Sequence, residues 1–219
     1  VSDTAAALAA DAAQNSGAGL YVTSGVNVTV TGAVSVAELA AIDAANVSGL
    51  LTYTSVSDTV SNLTADAATN GGAGTYVVAG IAVTVTDAAT VAQLAAIDAL
   101  AGTVSATSVS DTAANLAADA ATNGGTGTYV TSGVAVTVTD AATLTQLAAI
   151  DAANGGGTLS CAAVSDTAFA LALDAAQNSG SGFYVTSGVN VTVTDAATVG
   201  QLAGIDVANG IGALAVSYT

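Results

Sequence analysis

Residues 81–86 alternate: Ile81, Val83 and Val85 stand against Ala82, Thr84 and Thr86. A period of two rich in β-branched side chains predicts a strand. Beyond Asp87 the period changes. Val91, Leu94 and Ile97 recur at helical spacing among alanines, which predicts a short helix. Asp87 precedes that helix and is expected to be its N-cap, a position that also suits the helix dipole. A second segment repeats the design. Val56-Ser57-Asp58-Thr59 closes a strand, Leu63 lies on the following helix, and Asn70-Gly71-Gly72 ends it in the left-handed geometry these residues favour.

The pattern recurs along the whole chain. Val-Ser-Asp-Thr opens at Val1, Val56, Val109 and Val164, at spacings of 55, 53 and 55 residues, and Val-Thr-Val-Thr recurs at Val28, Val83, Val136 and Val191. Four tandem repeats follow: 1–55, 56–108, 109–163 and 164–219. The strand-closing residue marks two positions per repeat: Asp3, Asp58, Asp111 and Asp166 in the first half, and Gly32, Asp87, Asp140 and Asp195 in the second. All seven of these Asp residues are expected helix N-caps. The markers divide the chain into eight strand-turn-helix coils of roughly 27 residues, a length typical of solenoids. The predicted fold is an α/β solenoid with a parallel sheet on one side and short helices on the other. It reads as one continuous domain over 1–219, since no proline or charged linker interrupts it. The Tyr-Val-x-x-Gly segments at Tyr21, Tyr76, Tyr129 and Tyr184 are expected to form corners with a short extra strand.

The two ends have their own pattern. Val1 and Ser2 start the motif without the residues that precede it in inner copies. Leu214, Val216 and Tyr218 read as one more copy of that strand, with Tyr218 where Asp would stand. Neither end carries a polar capping repeat, and an uncapped sheet edge invites pairing. Val1, Ser2, Leu214, Val216 and Tyr218 are therefore the candidate polymerisation ends. A heterologous head-to-tail contact of this kind builds an open filament.

Charge narrows the partners. The chain has no Lys, Arg or His against 16 acidic residues, for a net charge of −16. Nothing in it neutralises phosphate, so nucleic acid and anionic lipid are excluded as direct partners. The 52% apolar content is not a membrane signal, because Asp, Thr, Asn or Gly interrupts every run before roughly 18 residues. With no Met, the chain is expected to be processed or a segment of something longer. A single cysteine, Cys161, permits no internal disulfide and reads as a small packing residue.

The remaining carboxylates are harder to place. Asp11, Asp66, Asp119 and Asp174, with Asp43, Asp98, Asp151 and Asp206, fall late in their predicted helices, where the dipole disfavours them. These eight are the candidate calcium ligands, because Ca2+ takes oxygen donors and adjacent coils would bring carboxylates together. The alternative is a carboxylate that is solvated or bonded to neighbouring backbone. The reading requires no cofactor, and Ca2+ is the one candidate. Thr29/Thr31, Thr84/Thr86, Thr137/Thr139 and Thr192/Thr194 form a Thr-x-Thr array on one predicted face, a candidate ice- or glycan-binding surface. Asn27-Val28-Thr29 and Asn190-Val191-Thr192 match the N-glycosylation sequon. Catalysis has little to work with: no base stands at a distinguishable spot, and the glycine turns follow helices, where phosphate cradles precede them. The chain is not expected to be an enzyme.

Residues 83–99, Val-Thr-Val-Thr-Asp-Ala-Ala-Thr-Val-Ala-Gln-Leu-Ala-Ala-Ile-Asp-Ala, and 109–121, Val-Ser-Asp-Thr-Ala-Ala-Asn-Leu-Ala-Ala-Asp-Ala-Ala, resemble tandem repeats of very large bacterial surface and secreted proteins, cyanobacterial ones among them. The resemblance spans essentially the whole chain. It implies an extracellular or cell-surface location and a structural or adhesive role, and it brings no catalytic residues. The expected function is a structural subunit of an extracellular filament or biofilm matrix fibre, with further copies of itself as partner. The alternatives are a spacer segment of a giant adhesin and an ice- or glycan-binding solenoid.

Overall fold

A computed structural model describes residues 1–217 and shows an α/β protein with parallel sheets. The chain forms two compact units, Val1–Thr107 and Ser108–Thr219, whose boundary falls beside the junction of the second and third sequence repeats. Among the described residues no helix is long and apolar enough to cross a membrane.

The first unit holds β1 (Ser2–Thr4), α1 (Ala5–Ala12), the four-residue turn α2 (Gln14–Gly17), β2 (Val28–Thr31), α3 (Val36–Asn46) and β3 (Leu51–Thr52). It continues with β4 (Ser55–Asp58), α4 (Val60–Ala67), β5 (Ala82–Val85), α5 (Val91–Asp98) and β6 (Thr103–Ala106). Its strands form two parallel sheets, β1-β2-β3 and β4-β5-β6, and an isolated parallel bridge joins Val34 to Val56. The second unit holds β7 (Ser108–Asp111), α6 (Ala113–Ala120), β8 (Ala135–Ala142), α7 (Leu144–Asn154) and β9 (Leu159–Asp166). It ends with α8 (Ala168–Ala175), β10 (Asn190–Val193), α9 (Val199–Asn209) and β11 (Leu214–Val216), and its five strands form one sheet in the order β11-β10-β9-β8-β7.

The register carries the repeat. Ser2 pairs with Thr29, Val56 with Val83, Val109 with Val136 and Val164 with Val191, always 27 residues on. The next step is shorter: Val28 pairs with Leu51 and Val136 with Leu159. A second strand lies in this step, and after a register shift past Val138 the chain runs on along β9 to the following Val-Ser-Asp. The expected extra strand therefore exists but is misplaced. Tyr21, Tyr76, Tyr129 and Tyr184 lie in turns and bends, and β3, β6, the start of β9 and β11 are the extra strands. Leu214 pairs with Val191 as Leu159 pairs with Val136, so β11 takes the place of the start of β9 rather than of a Val-Ser-Asp strand. Tyr218 lies outside the described residues.

Alternation decides which faces are buried. In β5, Val83 and Val85 are buried while Thr84 is exposed, and β2 follows the same rule. Each helix buries a narrow stripe, such as Leu94 and Ile97 in α5 or Leu116 in α6, beneath exposed alanines. Helices pack in pairs, α1 on α3, α6 on α7 and α8 on α9. Small alanines permit that close approach. Val47 follows α3 with φ 52°, a positive φ that α7 and α9 give to Gly155 and Gly210.

Candidate functional site

The acidic side chains, which carry most of the chain's chemistry, sort into three structural roles. The first group corrects the capping expectation. The N-caps are Thr4, Ser35, Thr59, Thr90, Thr112, Thr143, Thr167 and Thr198, each accepting from the backbone N–H three residues on. Asp3, Asp58, Asp87, Asp111, Asp140, Asp166 and Asp195 are not the caps of the helices that follow them. Each helix begins one residue or three residues later than Asp capping would require, because Thr or Ser occupies the extended position just before it. Four helices close a capping box, at Ser35–Glu38, Thr90–Gln93, Thr143–Gln146 and Thr198–Gln201. That Ser/Thr-x-x-Glu/Gln pattern is visible in the sequence, and it is the signal the reading above passed over.

The marker carboxylates instead reach across to another helix. Asp87 Oδ1 accepts from Val60 N at 2.6 Å, Asp140 Oδ1 from Ala113 N at 2.7 Å and Asp195 Oδ1 from Ala168 N at 2.6 Å. Asp58 Oδ2 accepts from Val36 N at 2.9 Å and Asp166 Oδ2 from Leu144 N at 3.0 Å. In each case the donor is the first residue of a helix 22 or 27 positions earlier, whose N–H has no partner inside its own helix. The other oxygen of Asp58 and Asp166 accepts from the N–H of the Thr that follows, as do Asp3 and Asp111. Each bond sets a negative charge on a helix N-terminus, where the dipole favours it.

A second group answers the problem of acids late in helices. Asp66 Oδ2 accepts from Thr75 N, Tyr76 N and Val77 N at 3.3, 3.0 and 2.8 Å. Asp11 receives Leu20, Tyr21 and Val22, and Asp119 receives Thr128, Tyr129 and Val130. Asp174 receives Tyr184 and Val185. The sequence signal is a fixed spacing of 10 and 11 residues from Asp to Tyr-Val in every repeat. Glycine makes the loop possible: a Cβ on Gly74 would collide with the Val77 carbonyl. Asp66, Asp119 and Asp174 are buried, and in a chain without cations converging N–H groups are what offset the charge. The N–H groups of Val22 and Tyr21 hold the Asp11 carboxyl below its ordinary 3.8; partial burial opposes them and Leu20 adds to them.

The third group, Asp43, Asp98, Asp151 and Asp206, stands in the last turns of α3, α5, α7 and α9. Tyr76 Oη donates to Asp43 Oδ2 at 3.4 Å and Tyr184 Oη to Asp151 Oδ2 at 3.3 Å. Tyr53 packs edge-on against Tyr76, ring centroids 6.5 Å apart, and donates to the Tyr76 carbonyl. Burial first, and then the charge of Asp43, pushes the Tyr76 phenol up to about 12. Burial and Asp151 do the same for Tyr184.

Among the described residues, no three His, Cys, Asp or Glu side chains lie together. The inward oxygens of Asp66, Asp119 and Asp174 already face N–H dipoles, whose polarity opposes a cation there. A cavity of about 260 Å3 in the second unit brings Asp151, Cys161 and Tyr184 near Leu147 and Phe183. Burial pushes the Cys161 thiol up, which disfavours its thiolate, and its Sγ donates to the Ala163 carbonyl at 2.8 Å.

The threonine array is denser than its sequence pattern. Thr84 lies between Ser57 and Ser105 in register, Thr137 between Ser110 and Ser160, and Thr29 between Ser2 and Thr52. The extra strands supply the third rank, with Thr84 Oγ1 and Ser105 Oγ 3.3 Å apart. At the outer sheet positions β1 is exposed along its length and, among the described residues, pairs with β2 alone, as β11 pairs with β10 alone. Val1 thus precedes β1 and Ser2 lies in it, and Leu214 and Val216 lie in β11. The Val1 ammonium donates to the Asn27 carbonyl at 2.7 Å. Compared with known proteins, this chain matches no protein family, no curated protein and no solved structure.

Proposed function

We propose that the protein is a structural subunit of an extracellular bacterial filament or matrix fibre, an α/β solenoid whose strand-turn-helix coils propagate head-to-tail from one copy to the next. One observation carries this reading: Asp58, Asp87, Asp140, Asp166 and Asp195 each serve a helix other than the one that follows them, and the Asp58 and Asp166 bonds join one repeat to the one before it. Terminal strands β1 and β11, each with one neighbour in its sheet, support it further. A chain of 16 acids and no bases bonds in this scheme through backbone donors and hydroxyls, and has no need of ion pairs. The extracellular placement follows from the likeness to bacterial surface repeats.

A second reading is a spacer segment within a giant adhesin. The place of β11 favours it, because in the inner repeat the same register position leads straight into the next Val-Ser-Asp strand. Electron microscopy of the purified 219-residue polypeptide separates the two. Long fibres with a regular axial repeat establish a subunit that self-assembles. Discrete short particles at every concentration overturn the subunit and leave the spacer.

A further inference from the structure

The repeat-to-repeat junction is described twice, once in each unit. In the first unit Tyr76 Oη reaches Asp43 at 3.4 Å, while Asp58 Oδ2 takes the first N–H of α3, from Val36, at 2.9 Å. In the second, Tyr184 reaches Asp151 at 3.3 Å, while Asp166 Oδ2 takes the first N–H of α7, from Leu144, at 3.0 Å. The sequence offsets are the same in both, 33 residues for the Tyr–Asp pair and 22 for the capping pair. The later repeat gives a Tyr and an Asp, and the earlier one gives an Asp and a helix start.

The first repeat has the giving half without a taker. Tyr21 occupies the place of Tyr76 and Tyr184, and its backbone N–H is anchored on Asp11 as theirs are on Asp66 and Asp174. Yet its side chain is 72% exposed, where theirs are half-buried. Asp3 Oδ1 accepts from Thr4, but Oδ2 has no partner among the described residues. The fourth repeat has the taking half without a giver. Asp206 holds the place of Asp43 and Asp151, and Val199 holds that of Val36 and Leu144. Neither the Asp206 carboxylate nor the Val199 N–H has a partner among the described residues. Apolar burial agrees. Leu39 and Leu147 are fully buried, whereas the equivalent Leu202 is half-exposed. Val199 is 84% exposed where Val36 and Leu144 are half-buried, and Val1 is 51% exposed where Val56 and Val164 are fully covered.

We propose that a second copy of this chain completes this junction: Tyr21 of one copy donates its hydroxyl to Asp206 of the other, and Asp3 accepts the first helical N–H of α9 at Val199. The inference rests on the head-to-tail reading above and names the side chains of its contact. Neither bond sets two carboxylates against each other, and Leu202, Val199 and Val1 supply the apolar surface buried with them.

The test measures the critical concentration for assembly of the 219-residue polypeptide by light scattering and sedimentation. Tyr21→Phe, Asp206→Asn and Asp3→Ala are each expected to raise it roughly three- to tenfold, with far-ultraviolet circular dichroism unchanged. The Tyr21→Phe, Asp206→Asn double variant is expected to equal the worse single variant, because the two side chains share one bond. Tyr76→Phe, which removes an inner pair, leaves the critical concentration unchanged. Fibres that form at the parent concentration in both Tyr21→Phe and Asp206→Asn overturn this junction and leave head-to-tail assembly standing. A parent polypeptide that stays monomeric overturns both.

Discussion

Asp119 shows what a carboxylate does here when no cation exists to meet it. Three backbone N–H groups converge on one of its oxygens in a buried loop. Truncation by Asp119→Ala orphans those donors, and the expected cost is roughly 3 kcal/mol in urea unfolding. Asp119→Asn keeps an acceptor and is expected to cost less. Val47 is the opposite case, a β-branched residue held at φ 52° where two other repeats use glycine. Its side chain is 70% exposed, so little packing is lost on removal. Val47→Gly relieves strain worth about 1–3 kcal/mol and gives back about 0.5–1 in backbone entropy. A rise of the melting midpoint is expected, and a fall would show that Val47 is not strained. Asn46, Asn154 and Asn209 were not anticipated from sequence: all three are fully buried at helix ends and their backbone carbonyls accept from loop N–H groups.

At the scale of elements, the starts of α3, α4, α6, α7 and α8 are held from two sides, by a Thr or Ser just before the helix and by an Asp 22 or 27 residues further along the chain. The loop after α4 and α8 is held by its Asp below and its Tyr above. This second attachment has a pH signature. Burial and nearby carboxylates push Tyr53, Tyr76 and Tyr184 up to about 12 from an ordinary 10. A folded-state value above the unfolded one means that the stabilisation is intact below pH 10 and is lost as pH rises toward 12. Chemical denaturation between those limits is expected to show falling stability, with three phenols ionising late. Asp11 works in the other direction: its folded value lies below 3.8, so its contribution is present above that pH and is lost in stronger acid. Most of the elements were legible from alternation and helical spacing. The extra strands were not, because Leu51-Thr52 and Leu214-Ala215-Val216 are too short to show a period.

For the whole molecule the dominant quantity is a net charge of −16 with no base to offset it. Copies that associate do so against mutual repulsion. Raising ionic strength from about 0.01 to 0.15 M shrinks the screening length from about 30 to 8 Å. Added salt is therefore expected to lower the critical concentration for assembly severalfold, read by light scattering. Calcium at equal ionic strength is expected to act no differently from magnesium, since the described carboxylates do not cluster. A calcium-specific rise in melting temperature would instead support calcium binding among the eight candidates, Asp11, Asp43, Asp66, Asp98, Asp119, Asp151, Asp174 and Asp206.

The sequence by itself determined the periodic features: four Val-Ser-Asp-Thr openings, strands by alternation, helices by spacing, and left-handed turns at Asn70 and Gly72. These depend on interactions between near neighbours in the chain, which spacing alone reveals. Only the tertiary structure decided what each carboxylate does. Asp87 stands four residues before the start of α5, yet it bonds Val60, 27 residues back. A local capping rule selects the nearest N–H. Parallel pairing between strands joined by a helix places distant segments side by side, and the nearest donor in space is then no longer the nearest in sequence.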